Sequence, residues 1–435
     1  METSNHKTIK GTQFWLPLDN AAKIFPATIN KDVTTVFRLS VILKNPVKIN
    51  PLMKAISMAE ERFPYYKVRL SRGFFWYYLE HIKRQLAIEV DNKRPCRRFP
   101  ENKLLMRILV KENRISVECS HILTDGGGVF EFIKTLLALY SRECGVNIPD
   151  NFNFMHPNDP IKEEEYEDAY KRYFKEKIPS IIKKSKAFHL PFDLNPSPRF
   201  KTINITVSIN EIKQKAKERG ITITDYLVAV YLYTLQEIHE EQSTFSRSKK
   251  NKQIRIQVPV NLRKIFPSQT MRNFSLFVMP EIDLRLGHYT FDEISRRVYH
   301  QIRLETDEKL ISKNISRNVG SEKKIYVKSI PLFIKSLILK AKYYSLGTSQ
   351  YSGVLTNLGL VKLPAGIEAM IDHFIITAPP PNKMLKVNCG VIGFNDKLVL
   401  SFGNITKSKM LENKVIEFLK SQDINATIEE DNVKH

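Results

Sequence analysis

One histidine in the sequence is followed by an acidic residue and a glycine run at a spacing that could do chemistry. His121 precedes Asp125 by four residues, and Gly126 begins a run of three glycines. The ordinary pKa of histidine, about 6.5, lies near working pH, so His121 could act as a general base. The glycines permit a tight turn with positive backbone angles and close approach of a ligand. The alternative is a structural turn, in which the His121 ring is satisfied locally and Asp125 caps the next helix.

The elements around this motif would place His121 at the end of a strand. Residues 114–121 alternate between polar and apolar side chains, which predicts a strand, and residues 129–140 have the apolar spacing of an amphipathic helix. Strand, turn and helix would therefore thrust the histidine out of a sheet. One histidine and one aspartate supply too few ligands for a metal ion, and no second cluster accompanies them, so we expect no metal site.

The composition is that of a folded protein. The chain has 435 residues, of which 42% are hydrophobic and 26% charged, which excludes a disordered or fibrous chain. Its four cysteines are scattered and form no C-x-x-C pair, so neither a disulfide scaffold nor a zinc ribbon is expected. A reducing, cytoplasmic location is expected from this cysteine usage.

No segment has the unbroken apolar length of a transmembrane helix. Residues 329–344 come closest, but three lysines interrupt them. We predict a helix that covers part of a core there, with attachment to a membrane surface as the alternative.

The net charge of +22 indicates anionic partners or substrates, among them phosphorylated cofactors. The charge is spread along the chain, with denser clusters at residues 93–103 and 247–255 that we interpret as solvated loops. No helix-turn-helix, zinc-finger or aromatic-platform motif accompanies the charge, so we do not expect nucleic acid as a partner. Nucleotide-binding glycine loops and the G-x-S-x-G elbow of serine hydrolases are also missing from the sequence.

The whole chain predicts an α+β fold of two similar-sized halves. Residues 1–165 form the predicted N-terminal half, which carries the histidine motif. A charged, exposed helix and a connector are predicted over residues 166–198, and residues 199–435 form the predicted C-terminal half, in which Thr224 or Asp225 would cap a long helix.

The pattern His-x-x-x-Asp-Gly, after a strand and before a helix, resembles the active-site motif of the CoA-dependent acyltransferase superfamily. That superfamily includes chloramphenicol acetyltransferase, the plant BAHD enzymes and peptide-synthetase condensation domains. Further segments follow in the expected order, namely ITITDYLVAVYLYTL, VPVNLRK, MRNFSLFV and VLTNLGLVKLP. The chain is most similar to alcohol acetyltransferase-like members, whose WLPLDNAAKIFP opening it shares. Ser120 replaces the second histidine of condensation domains, and the DFGWG motif of the BAHD branch is missing.

The resemblance implies two chloramphenicol-acetyltransferase-like halves, each a mixed β-sheet with flanking helices, and an active-site channel between them. Acyl-CoA would enter from one mouth and a small alcohol or amine from the other. His121 would be the general base, and Asp125 would be structural, paired with Arg263 beside Gly126. The resemblance also suggests oxyanion or cofactor contacts, for which the candidates are Asn273, Ser275, Asn357 and Gly359.

The implied reaction is direct transfer of an acyl group, with acetyl expected, from CoA to the acceptor, without a metal or an acyl-enzyme. Two alternatives stay open. One is a condensation-like acyltransferase that uses a donor bound to a carrier protein. The other is a non-catalytic binding protein on the same scaffold, against which the intact motif at residues 121–126 argues.

Overall fold

In the part of the chain that the structure describes, strands and helices are interspersed and the strands form three sheets. The computed structural model describes residues 13–176, 184–241, 251–323, 327 and 329–430. The strands are β1 (Trp15–Pro17), β2 (Val36–Leu43), β3 (Val68–Arg72), β4 (Tyr77–His81), β5 (Ile88–Val90), β6 (Met106–Lys111), β7 (Arg114–Ser120), β8 (Lys201–Ser208), β9 (Gln253–Asn261), β10 (Ser275–Val278), β11 (Glu281–Asp283), β12 (Gly353–Val361), β13 (Ile371–Thr377), β14 (Val387–Phe394), β15 (Lys397–Asn404) and β16 (Ala426–Glu430).

The helices are α1 (Phe25–Thr28), α2 (Ile49–Arg62), α3 (Gly126–Glu143), α4 (Ala169–Arg172), α5 (Ile209–Glu218), α6 (Ile223–Glu240), α7 (Phe291–Glu305), α8 (Glu308–Lys323), α9 (Leu332–Lys342), α10 (Ala365–Glu368) and α11 (Met410–Ser421). The predicted α+β class is confirmed.

The first of the two large sheets has the strand order β13-β2-β7-β6-β5. The alternation in β7 sends Ile115, Val117 and Cys119 into a core shared with α2 and α3. The polar residues of the opposite face are also buried. Glu118 forms ion pairs there with Arg38 and Arg107. These pairs compensate for the hydration that the carboxylate loses when it is buried.

The second large sheet has the order β10-β9-β12-β14-β15-β8-β16, with β11 paired to β9. It shares a core with α5, α6, α7 and α11. The long helix α6 begins two or three residues earlier than predicted, so Thr224 and Asp225 lie inside it. Its N-cap is Thr222, whose hydroxyl accepts from the Asp225 N–H, while the Asp225 carboxylate accepts from the Thr222 N–H.

The two large sheets are linked by an exchanged strand. β13 lies in the predicted C-terminal half of the sequence, yet it pairs antiparallel with β2 of the N-terminal half over Ile371–Thr377. A smaller sheet, β1-β4-β3, completes the N-terminal half. The predicted boundaries at residues 165 and 198 stay predictions.

Two local predictions need correction. The predicted charged helix after residue 166 is only the four-residue α4 in the described part, and its Tyr170 is buried; residues 177–183 lie outside the described residues. The cluster 247–255 is not simply a solvated loop, because Arg255 is buried in β9 and pairs with Glu281. Residues 247–250 of that cluster also lie outside the described residues.

The segment predicted as a core-covering helix contains α9. Leu332 and Lys335 are buried, whereas other apolar side chains of the same helix face solvent. Among the described residues, no helix is long and apolar enough to cross a membrane.

Candidate active site

His121 follows the last residue of β7, and hydrogen bonds hold both its main-chain N–H and its carbonyl oxygen. Its main-chain N–H donates to the Thr35 carbonyl oxygen at 2.9 Å, and its carbonyl oxygen accepts from the Asn273 side chain at 2.9 Å. The imidazole stacks against Phe37, with ring centroids 4.4 Å apart, and against Phe25 at 5.6 Å. The ring is therefore fixed in orientation, as a catalytic base must be.

The surroundings of His121 favour the neutral imidazole. Burial lowers the pKa of His121 below its ordinary value, although the Asp125 charge and hydrogen bonding with Asn273 and the Thr124 main chain partly oppose this shift. A neutral imidazole can accept a proton, so the lowered pKa suits a general base near pH 7.

Asp125 is the N-cap of α3, and its carboxylate is fully engaged. One oxygen accepts from the Gly128 N–H at 3.0 Å. The other accepts from the Phe274 N–H at 2.8 Å and from the Arg263 guanidinium at 2.9 Å. Burial alone would raise the pKa of Asp125, but the charge and hydrogen bond of Arg263 and the two main-chain donors lower it on balance. The carboxylate therefore stays ionised and ties three chain segments together.

Arg263 reaches Asp125 from the turn after β9. Its Nε donates to the Thr270 carbonyl at 2.8 Å, and its Nη1 also donates to the Asn261 side chain at 3.2 Å. The structure thus brings Arg263 to the His121 motif, although Arg263 and Asp125 are 138 residues apart in the sequence.

The glycine run allows α3 to pack closely against neighbouring segments of the chain. Its expected positive φ angles are wrong, since the glycines with positive φ in the described part are Gly145, Gly220, Gly287 and Gly359. A Cβ on Gly126 would lie 2.8 Å from a methyl group of Leu358. On Gly128 it would lie 2.1 Å from the Thr124 hydroxyl and 2.4 Å from the Met271 carbonyl oxygen. Larger residues would therefore push α3 away from the segments that it contacts.

A cavity of about 1470 Å³ opens in front of His121. Its wall includes β2 from one large sheet and β9 and β12 from the other, so it lies between the two halves. Its size exceeds the usual range of a single small-molecule pocket and leaves room for two substrates. Aromatic and aliphatic side chains line much of it, and its basic lining residues are Lys23, Lys134, Arg263, Lys264, Lys335 and Lys342.

Of the four weaker candidates, three line the cavity and one does not. Ser275 and Asn357 line the cavity; the Ser275 hydroxyl has no protein partner among the described residues, and one Asn357 amide hydrogen goes to Thr224. Asn273 also borders the cavity, but its amide donates to both His121 and Asp19 and is not free. Gly359 is not on the wall; with φ of 85° it forms the irregularity in β12.

Sequence reasoning missed Asp19, which is fully buried beside the site. It accepts from Asn273 at 3.0 Å and lies 3.6 Å from the Arg272 guanidinium. Burial, partly offset by Arg272, raises the pKa of Asp19 to about 6. The sequence feature that could have identified Asp19 is the WLPLDNAAKIFP segment, which the chain shares with the resembled family. The same segment contains Phe25. Within the described residues, no group of three or more metal-ligating side chains is present.

Comparisons with known proteins bear on both family and fold. Residues 173–279 match the family model for alcohol acetyltransferase. No curated protein matches the sequence. Solved structures match over nearly the whole chain, at identities that establish the fold alone.

Trichothecene 15-O-acetyltransferase TRI3 from Fusarium sporotrichioides is 11% identical, with a TM-score of 0.60 and coverage of 94% of this chain and 95% of that one. TRI101 from F. graminearum, solved with coenzyme A and deoxynivalenol, is 11% identical, with a TM-score of 0.58 and coverages of 94% and 97%. The cyclization-docking bidomain of the peptide synthetase EpoB from Sorangium cellulosum is 13% identical, with a TM-score of 0.58 and coverages of 95% and 85%.

The predicted resemblance to the CoA-dependent acyltransferase superfamily is confirmed in the fold and in the matched segment. The expectation of an acyltransferase is confirmed at the same coarse level.

Proposed function

We propose that this acyltransferase-fold chain moves an acyl group, with acetyl expected, directly from CoA to an alcohol or amine acceptor, with His121 as general base. The observation that carries the proposal is the His121 ring itself. It borders the cavity, is oriented by aromatic stacking and has a lowered pKa. The nearby Asp125 carboxylate is saturated with donors, which leaves His121 as the base of the motif.

In the proposed step, the neutral His121 imidazole takes the hydroxyl proton while the acceptor oxygen attacks the thioester carbonyl carbon. The new C–O bond forms, and the carbonyl electron pair moves onto oxygen. When this tetrahedral intermediate collapses, the C–S bond breaks and the CoA sulfur leaves with its electron pair. The imidazolium returns the proton to that sulfur. The products are an ester and free CoA, and His121 is neutral again.

The intermediate carries a negative oxygen that needs a hydrogen-bond donor in a dry site. Ser275 and Asn357 are the proposed donors, because both border the cavity and neither has all its donors engaged. Asn273 is proposed instead as a positioning residue, since its amide holds the His121 carbonyl oxygen. Gly359 has no proposed contact with substrate.

The donor is proposed to be acyl-CoA. TRI101, which shares the fold, was solved with coenzyme A. The basic residues on the cavity wall and the net charge of +22 would suit the phosphates of that cofactor. A cytoplasmic location belongs to this proposal, because all four cysteines are free thiols and fit a reducing compartment.

The test is release of free CoA from acetyl-CoA against a panel of alcohols and amines, read with a thiol reagent. The matched control is His121→Ala, prepared in the same way. Release that depends on both an acceptor and His121 would support the proposal. Equal release by the wild-type chain and the variant with every acceptor would contradict it.

A donor bound to a carrier protein is the second candidate. The EpoB bidomain shares the fold and comes from a peptide synthetase, and a surface with net charge +22 would attract an acidic carrier. Comparing acetyl-CoA with the same acyl group on a phosphopantetheine carrier separates the two donors. Saturable acyl-CoA binding without turnover on either donor would indicate the remaining alternative, a binding protein.

A further inference from the structure

The helix α9 presents an apolar face to solvent. Phe333 is 61% exposed and Leu337 is 68% exposed, and Ile334 and Ile338 are exposed beside them. These positions follow the spacing i, i+1, i+4 and i+5, which places them on one side of a helix. A soluble surface rarely gathers so many large apolar side chains without a binding role.

The turn between β3 and β4 extends this surface. Phe74 is 73% exposed, and its carbonyl oxygen accepts from the Leu332 N–H at 3.0 Å, which ties the turn to the start of α9. The Lys335 ammonium also donates to the Phe75 carbonyl oxygen, at 3.1 Å. We call the resulting surface the docking patch, and its residues are Phe74, Phe333, Ile334, Leu337 and Ile338.

Basic residues flank the docking patch. Arg72, two residues before Phe74, and Lys340, three residues after Leu337, are exposed beside it. The sequence contains no acidic residue between Glu322 and Glu368, a stretch that includes all of α9. An exposed apolar helix face with basic neighbours is the pattern of a segment that lies in the headgroup region of an anionic bilayer.

The docking patch is the outer side of the cavity wall. Lys335, Leu339 and Lys342, on the opposite side of α9, line the cavity. α9 also packs against α1, whose Phe25 stacks on His121. A surface bound to the patch would therefore lie against the wall of the cavity that holds the candidate base.

We propose that the chain attaches peripherally to anionic lipid surfaces through the docking patch. Its apolar side chains enter the headgroup and acyl boundary, and the neighbouring basic residues contact anionic headgroups. Attachment itself is independent of the proposed reaction. Its consequence, that a lipophilic substrate reaches the cavity from the bilayer, rests on the proposed function.

The test is sedimentation of the full chain with phosphatidylcholine vesicles that contain or lack phosphatidylglycerol. The variant is Phe333→Ser with Leu337→Ser. The matched control is Leu286→Ser with Leu304→Ser, which removes two leucines that are 73% and 66% exposed elsewhere. The patch variant is expected to bind anionic vesicles at least about tenfold more weakly than wild type, while the control binds normally.

Equal binding by the wild-type chain and the patch variant would overturn the proposal, because charge alone would then explain it. A wild-type dimer that the patch variant dissociates would overturn it too, since a second copy would cover the patch. Activity of both variants on a water-soluble acceptor is measured in parallel. Lost vesicle binding with unchanged soluble activity supports docking, whereas failure of the acyltransfer proposal leaves the sedimentation result unaffected.

Discussion

At the residue scale, the histidine and the aspartate of the motif have different charge states. The His121 ring borders the cavity and is kept neutral, while the Asp125 carboxylate is kept ionised by three donors. Environments that push two pKa values apart are how neighbouring groups acquire separate roles. The motif thus holds one group that is free to accept a proton and one whose charge holds the turn.

Replacing His121 by alanine should lower turnover by about 10²–10⁴-fold, as expected for loss of a general base. Folding and acyl-CoA binding should persist. Because the base works when deprotonated and its pKa is lowered, the acidic limb of the wild-type kcat/KM profile should lie below pH 6.5. Steady-state rates from pH 4.5 to 8 measure both effects. Turnover close to wild type in the variant would remove His121 from the mechanism.

Removing either partner of the Asp125–Arg263 pair should destabilise the fold by about 3–5 kcal/mol, because the other charge stays buried. The pKa of Asp125 is lowered by folding, so its contribution is present above about pH 3.9, the unfolded value, and is lost as pH falls through the folded pKa. Denaturant unfolding of both single variants and the double variant measures the coupling.

The control for that cycle is the exposed pair Arg98–Glu101, whose loss should cost about 1 kcal/mol or less. Strictly additive losses at Asp125 and Arg263 would mean that the two side chains do not stabilise one another.

The site residues that could be identified from the sequence all lie in short motifs. His121, Asp125 and Arg263 stand in such motifs, and the structure brings them together. Asn273 was also found, but its partners were not, because the contact with Asp19 joins residues 254 positions apart. Spacing along the chain cannot show which donor is already used across such a distance.

At the element scale, the turn that carries the motif depends on Gly128, where no side chain would fit. Gly128, in the first turn of α3, packs against Thr124 and Tyr66, both of which donate to the Met271 carbonyl oxygen through their hydroxyl groups. This arrangement joins the motif to the segment before β10. The sequence predicted β7 and α3 well, since both have strong apolar periodicity, but not the reason for the glycines.

Gly128→Ala should therefore destabilise the protein by about 1–3 kcal/mol and reduce turnover, since the added methyl group would force α3 and the Met271 carbonyl apart. Gly320→Ala is the matched control. Gly320 lies inside α8, where an added Cβ would meet only Phe174 at 3.5 Å. Helix propensity predicts that this change stabilises by up to about 1 kcal/mol. Thermal unfolding of the two variants compares them, and equal effects would contradict the packing argument.

At the scale of the whole molecule, the exchanged strand and the cavity belong together. β13 starts at residue 371 and pairs with β2, which starts at residue 36, so the C-terminal half of the chain completes the N-terminal sheet. This couples the sheets on either side of the cavity. Two halves could be predicted from the repeated style of strands and helices, but a partner more than 300 residues away leaves no local pattern.

The position of the cysteines relative to the cavity decides whether an acyl-enzyme can form. Cys119 comes two residues before His121 and would be the obvious nucleophile. It is fully buried in the core shared with α2 and α3, and burial raises the pKa of its thiol well above the ordinary value. Cys96 and Cys389 are also buried, and burial raises the pKa of each thiol. No cysteine is among the described residues that line the cavity.

We therefore expect transfer through a ternary complex, for which a cavity of about 1470 Å³ has room. Intact-protein mass spectrometry after mixing with acyl-CoA alone should give an unmodified mass, and double-reciprocal plots should intersect. Cys119→Ser should retain turnover, because the thiol has no part in the proposed step. A stable adduct that this substitution abolishes, together with parallel plots, would instead make Cys119 the nucleophile and His121 its activator. The raised thiol pKa favours the first outcome, since the thiolate is the form that attacks a thioester.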